Sequence, residues 1–300
     1  MRLDQLTFTR FIAAVSIVIY HFGKRVYPFN TPYVDYLVQH ANLGVSYFFI
    51  LSGFVMIISY GRDEEINPIN YLKNRFARIY PIYLLALLFY LPIRFMIDYP
   101  LDIILISQIL MLQSWIPGWS MGYNFTGWSV SNELFFYVLF PFLFNYIYRL
   151  EKYRKVVFIA VIIFWIISQA FFHFMLHQPF YKGDHTFSHD ILFYFPLMHL
   201  NEFLIGNIAG IWFLRNYKYF QKSYDLHILI IIVLIALALK FPMNMNYHNG
   251  LFAFLLVPLI LFISLNTGRI TKWFCNQKLI YLGEVSYGIY IYINSQFFIT

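Results

Sequence analysis

Charge and cysteine are what this sequence is short of. Only 12% of its 300 residues are Asp, Glu, Lys or Arg, about half the share found in a soluble domain. A chain this poor in charge and 60% hydrophobic, with a mean hydropathy of +0.62, reads as a polytopic membrane protein. The single cysteine, Cys275, excludes internal disulfides and any cysteine-based metal cluster. Acidic residues are the scarcer sign, 14 against 21 basic. The excess of Lys and Arg falls in short loops between apolar runs, which marks membrane orientation and excludes nucleic acid as the partner. No glycine-rich phosphate loop, nucleophile elbow or zinc motif is present. A cleaved leader is excluded as well, because Arg10 interrupts the first apolar run and GKRVYPF follows it.

What the chain has instead is apolar length. Runs occur at roughly 6–23, 41–60, 79–97, 101–116, 133–149, 155–176, 191–214, 226–241, 249–266 and 280–300, and about 20 residues are needed to span a bilayer. The 35 Phe and 26 Tyr suit a bundle with many interfacial aromatics. The 101–116 run is short and carries Gln108 and Gln113. If it does not cross, fifteen Lys and Arg side chains lie inside and five outside, with Arg10 left in the membrane. If it crosses, that bias collapses. The expectation is therefore an all-α, polytopic transmembrane helix bundle of about nine crossings with a cytoplasmic N-terminus. An outer non-crossing segment near 101–132 interrupts it.

Within the first span, His21 stands eleven residues after Arg10. Eleven residues are close to three full turns, so the two side chains share one face about 16 Å apart. Ionisable groups inside a span are costly and by default mark a functional path. The plainer alternative is an Arg snorkelling to one interface and a His at the far helix end. Further on, YLKNRFARIYPIY places Arg75 and Arg78 three residues apart. GWSVSNELFFY places Trp128, Ser129 and Glu133 at the head of another span, and VSYFFILSGFVM carries Ser52 and Gly53.

In order and wording these segments resemble the acyltransferase-3 family of integral membrane O-acyltransferases. The matching residues are Arg10 and His21; Phe48, Phe49, Leu51, Ser52, Gly53 and Phe54; Arg75, Arg78, Ile79, Pro81 and Tyr83; and Trp128, Ser129 and Glu133. NEFLIG around Glu202, Phe203 and Gly206 is similar to the family's E-F-x-x-G segment. LGEVSYGIYIY, with Gly283, Ser286, Tyr287 and Tyr290, is similar to its G-x-x-S-Y-x-x-Y-L helix. Two departures stand out: Val130 replaces the usual Leu, and Ile293 beside Asn294 takes the place of a late His. The resemblance implies ten helices in the complete fold. It also implies that the chain, 1–300, is one membrane acyltransferase domain lacking the last helix.

The resemblance further implies transfer of an acyl group, often acetyl, from cytoplasmic acyl-CoA to a hydroxyl of a cell-envelope carbohydrate or lipid-linked glycan, in a bacterial plasma membrane. No tightly bound cofactor is implied; acyl-CoA is a co-substrate. A sugar hydroxyl needs a general base with a pKa near neutrality, and His21 is the candidate. Glu133, expected at the same outer depth, is the candidate to orient it, and Arg10 to neutralise the donor within the bundle. Arg75 and Arg78, expected on the opposite cytoplasmic side, are the candidates to clamp the donor's phosphates. For that pair ordinary headgroup anchoring is the alternative. Trp128, Ser129, Ser52 and Tyr287 are candidate site-lining residues. Gly206 and Gly210 form a helix-packing face. His185 and Asp190 spell an H-x-x-x-x-D, and His173, His177 and His189 lie nearby, but an outer polar loop explains them better than a catalytic or metal site. The rival classes are a glycan transporter or export component on the same scaffold, and an inactive copy.

Overall fold

The computed structural model describes residues 3–96, 102–241 and 245–292. Arg2, Ile293, Asn294 and Thr300 lie outside the described residues. Apart from one isolated bridge between Lys222 and Asn266, regular structure among the described residues is helical. A helix sits under each apolar run: α1 (Asp4–Phe22), α2 (Asp35–Gln39), α3 (Leu43–Tyr60), α4 (Pro68–Met96), α5 (Ile103–Ile109), α6 (Gly127–Leu143), α7 (Arg154–Leu176), α8 (Phe187–Phe193), α9 (Pro196–Phe220), α10 (Asp225–Lys240), α11 (Ala253–Leu265), α12 (Arg269–Phe274) and α13 (Gln277–Ile291).

Among the described residues, five segments are long and apolar enough to cross a membrane: Asp4–Phe22, Leu43–Tyr60, Gly127–Tyr148, Glu151–Leu176 and Phe187–Phe220. They divide by burial. The Leu43–Tyr60 span is 72% buried, whereas the Glu151–Leu176 span is 17% buried. An apolar helix exposed on most of its surface, with Ile159, Ile162, Ile163, Ile166 and Ile167 all open, is stable facing lipid and not water. The protein is a multi-pass membrane protein. The 101–116 run holds one short helix and an irregular stretch after it. α5 has seven residues, about 10 Å of helix, against a hydrocarbon core of about 30 Å.

The chain divides into two compact units. The first comprises the described residues of Met1–Arg62 and Glu202–Tyr290. In it, backbones approach where side chains vanish. A Cβ on Gly53 would lie 2.1 Å from the Phe203 carbonyl oxygen, and one on Gly206 would lie 2.0 Å from that of Ile50. α3 and α9 thus meet backbone to backbone, the small-residue packing of membrane helices. Gly283 does the same for α13 against Thr7 of α1, at 2.0 Å. Gln5 of α1 donates to Ser264 O of α11 at 3.1 Å.

The second unit comprises Asp63–Asn201 with the described residues from Ile291. Here α4 and α6 run antiparallel. Tyr71 stacks toward Phe140 (5.8 Å), Arg75 lies over Tyr137 (5.8 Å), and Tyr83 reaches Gly127. The irregular stretch between α5 and α6 is held by fully buried amides. Gln113 Nε2 donates to Gly127 O at 2.7 Å and to Tyr83 Oη at 3.2 Å. Tyr83 Oη donates to Gln108 O at 2.8 Å, and Ser131 Oγ to Met111 O at 2.7 Å. Buried non-helical backbone needs such internal partners, which is the structural use of the two glutamines in an otherwise apolar run.

Candidate active site

In the first unit, α1 carries Arg10 and His21, both half-buried. The buried face of the helix is built from Leu6, Phe8, Thr9, Ala13, Ala14 and Ile17. Tyr47 of α3 donates to Oγ1 of Thr9, the residue next to Arg10 in α1. His21 ends α1 beside Tyr20, their rings 5.0 Å apart and edge-on, and feels the charge of Lys24 one turn on. Ser52 (7% exposed) is buried in α3, and Tyr287 is half-buried on α13.

The second unit holds a connected polar group. The Arg75 guanidinium, on a side chain 9% exposed, lies 5.4 Å from the Tyr71 ring centre and 5.8 Å from that of Tyr137. Tyr137 in turn donates a hydrogen bond to Glu133 Oε1. The sequence expects Arg75 on the cytoplasmic, donor-binding side and Glu133 at the opposite, outer mouth. The structure corrects this: Glu133 and Tyr137 are one helical turn apart, about 6 Å, and Arg75 packs on the second of them. The reason is that α4 begins at Pro68, eleven residues ahead of its apolar run, so Arg75 is already inside the helix pair. The expected clamp also separates. Arg75 is buried and Arg78 is exposed, because three residues leave about 60° between them and only the Arg75 side faces α6. Glu133 is half-buried, seven residues into α6, and is not a solvated carboxylate at the helix end.

Trp128 and Ser129 are packed inward. The Trp128 ring meets Tyr194 at 4.9 Å and His199 at 5.3 Å, and Ser129 Oγ donates to Thr126 O at 3.0 Å. The H-x-x-x-x-D loop is structural. Asp190 Oδ2 accepts from the Gly118 amide at 2.7 Å, and Thr186 caps α8 through the His189 amide at 3.3 Å. Among the described residues no three His, Cys, Asp or Glu side chains converge as metal ligands.

The family model for an acyltransferase domain, acyltransferase-3, matches residues 3–292. The chain belongs to the acyltransferase-3 family. The domain that this family model describes is an acyltransferase domain. Among curated relatives, acyltransferase MdmB of Streptomyces mycarofaciens is 33% identical over 152 residues, 47% of this chain and 39% of that protein. The match therefore spans less than half of that relative. ORF330 of Acidianus two-tailed virus, named as a candidate acetyltransferase, is 24% identical over 290 residues, 94% of this chain and 80% of its own. Protein 2 in the picA locus of Rhizobium radiobacter is 52% identical over 48 residues, 15% of this chain and 25% of its own. No solved structure matches the chain.

For an acyltransferase-3 protein, the residues that sequence reasoning passed over are Tyr71 and Tyr137. Both signals were present as four-residue spacings: Tyr71 precedes Arg75 by one turn, and Tyr137 follows Glu133 by one turn. Residues so spaced lie on one helix face. Asn132 was also passed over. It is fully buried, and among the described residues neither its Oδ1 nor its Nδ2 has a hydrogen-bond partner.

Proposed function

We propose that the protein transfers an acyl group, acetyl by family resemblance, from acyl-CoA to a hydroxyl of a cell-envelope or exported carbohydrate. The observation that carries the reading is the Arg75–Tyr137–Glu133 group, a cation, a phenol and a carboxylate linked inside a helix pair of a membrane acyltransferase. Such a group is expensive at membrane depth and suits a polyanionic donor. Arg75, sandwiched by two rings, is the fixed cation for a donor phosphate, with Arg78 as an outlying second. Glu133 holds the Tyr137 ring through its hydroxyl and so positions Arg75.

His21 serves as the base. Its imidazole takes the proton from the acceptor hydroxyl as the oxygen attacks the thioester carbonyl carbon. The C–S bond then breaks, and the departing CoA thiolate takes up a proton. Arg10, one face and about 16 Å along α1, offsets charge on the donor. The positive-inside count supports a cytoplasmic N-terminus and about nine crossings; a bacterial plasma membrane is what the family resemblance implies. The test is mass spectrometry of the glycan from a deletion strain complemented with wild type or His21→Ala. The acyl mass should vanish on deletion, return with wild type and stay absent with His21→Ala. Full restoration by His21→Ala would overturn the assignment.

A further inference from the structure

The connection between α1 and α3 builds a concave site that the residues discussed so far do not include. A pocket of about 460 Å³ is lined by Lys24, Phe29, Asn30, Asp35, Val38 and Gln39, within the size range of small-molecule sites. Its walls are set by consecutive turns. Val26 N donates to Gly23 O (2.9 Å), Phe29 N to Val26 O (2.8 Å), Asn30 N to Val26 O (3.2 Å) and Val34 N to Thr31 O (3.0 Å). Thr31 Oγ1 adds a bond to Pro28 O at 2.7 Å. Two lining groups are held in place: Lys24 Nζ sits 3.6 Å over the Tyr20 ring, and Asp35 Oδ2 accepts from Gln39 Nε2 at 3.3 Å.

The lining chemistry specifies the ligand. One ammonium and one carboxylate cancel, two amides add paired donors and acceptors, and one aromatic ring offers an apolar floor. A coenzyme A phosphate would meet Asp35 with a single Lys to offset it, and an acidic sugar would meet the same carboxylate. An uncharged sugar ring suits all six residues. Adjacent hydroxyls reach a carboxylate and amides in bidentate fashion, and the C–H face lies on Phe29. Lys24, which lines the pocket, follows His21 by three residues along the chain.

We infer that this pocket is the acceptor subsite and that it takes a neutral polyhydroxylated ring, a neutral glycosyl unit. The inference rests on the transferase reading above and adds to it the place and charge class of the acceptor. The test uses the full chain in lipid nanodiscs, with saturation-transfer NMR on neutral methyl hexosides (gluco, galacto and manno) and the corresponding methyl uronides. The expected result is saturable binding of at least one neutral hexoside. Its uronide should bind about 10-fold more weakly, and Asp35→Ala and Phe29→Ala should each lose about 10-fold. Asn30→Ala, at an exposed position, should lose about 3-fold and serves where the other two fail to fold.

Three results would overturn the inference: no saturable hexoside, a uronide that binds more tightly, or variants that bind as wild type does. Transfer of labelled acetyl groups separates the two readings. If Asp35→Ala transfers with an unchanged acceptor KM, the pocket assignment fails and the transferase reading stands. If wild type binds hexosides but transfers nothing to them, the transferase reading fails alone.

Discussion

Replacing Tyr137 by Phe removes one oxygen and keeps the ring. The oxygen donates to Glu133 Oε1, and the ring faces the Arg75 guanidinium at 5.8 Å. A hydrogen bond to a charged group contributes about 1.5–3 kcal/mol. If Arg75 reaches the donor only when this ring is held, the loss appears as roughly a 10- to 150-fold fall in kcat/KM, at about 1.4 kcal/mol per decade. The fall should lie mainly in donor KM, because the group positions a binding cation. Tyr137→Leu removes the ring as well. It should cost a further factor of roughly 2 to 30, from a cation–π contact of about 0.5–2 kcal/mol. The assay is transfer from labelled acetyl-CoA in proteoliposomes over a range of donor concentrations, with melting curves run beside it. Full activity of a folded Tyr137→Phe protein, within twofold of wild type, would refute the positioning role.

Three further outcomes concern the frame. Gly206→Ala puts a methyl 2.0 Å from Ile50 O. α3 and α9 must then part by more than an ångström, at about 1–3 kcal/mol, and the melting temperature should drop; an unchanged melt would contradict the backbone contact. Asn132→Leu relieves an amide that is buried without partners among the described residues, so the melting temperature should rise, by the equivalent of about 1–3 kcal/mol. A clear fall would show that the amide is satisfied by a bound molecule. Asp225, just ahead of the apolar run of α10, accepts from Asn266 Nδ2 (2.7 Å), Arg269 N (2.7 Å) and Ile270 N (3.2 Å). The Asn266 bond leads in holding its carboxyl below the ordinary 3.8. A depressed folded pKa stabilises fully above the unfolded value and is lost as pH falls through the folded one. Thermal melts of wild type should therefore decline as pH falls below 3.8, and Asp225→Asn should flatten that decline. Parallel curves would contradict the clasp.

The spans were legible wherever composition alone decides them. α1, α3 and α7 lie under their apolar runs, and Gln108 with Gln113 marked the stretch where the helix is short. α4 was legible only in its second half. Its first eleven residues carry Lys73, Arg75 and Arg78, so hydropathy is silent there although the helix starts at Pro68, a good first helical position. The surroundings of Arg75 were illegible for a related reason. A charge count pairs it with Arg78 and does not register the two aromatic rings, on α4 and α6, that flank its guanidinium. The break between α8 and α9 was hidden inside one apolar run, although Pro196 marks it. From sequence, Trp128 was legible only as a candidate site-lining residue at the head of its span. Its burial against His199 depends on the fold of the chain around residue 195, which no local pattern encodes.

The central claim, that His21 is the base in acyl transfer to a hydroxyl, is tested most directly by purified protein in proteoliposomes. Labelled acetyl-CoA would be on one side and a hydroxyl acceptor present, with wild type and His21→Ala measured side by side. Removal of a general base should lower the transfer rate by about 10²- to 10⁴-fold, with donor binding close to wild type. Transfer by His21→Ala at the wild-type rate would contradict the account, as would a wild-type protein that moves acceptor across the bilayer without acylating it.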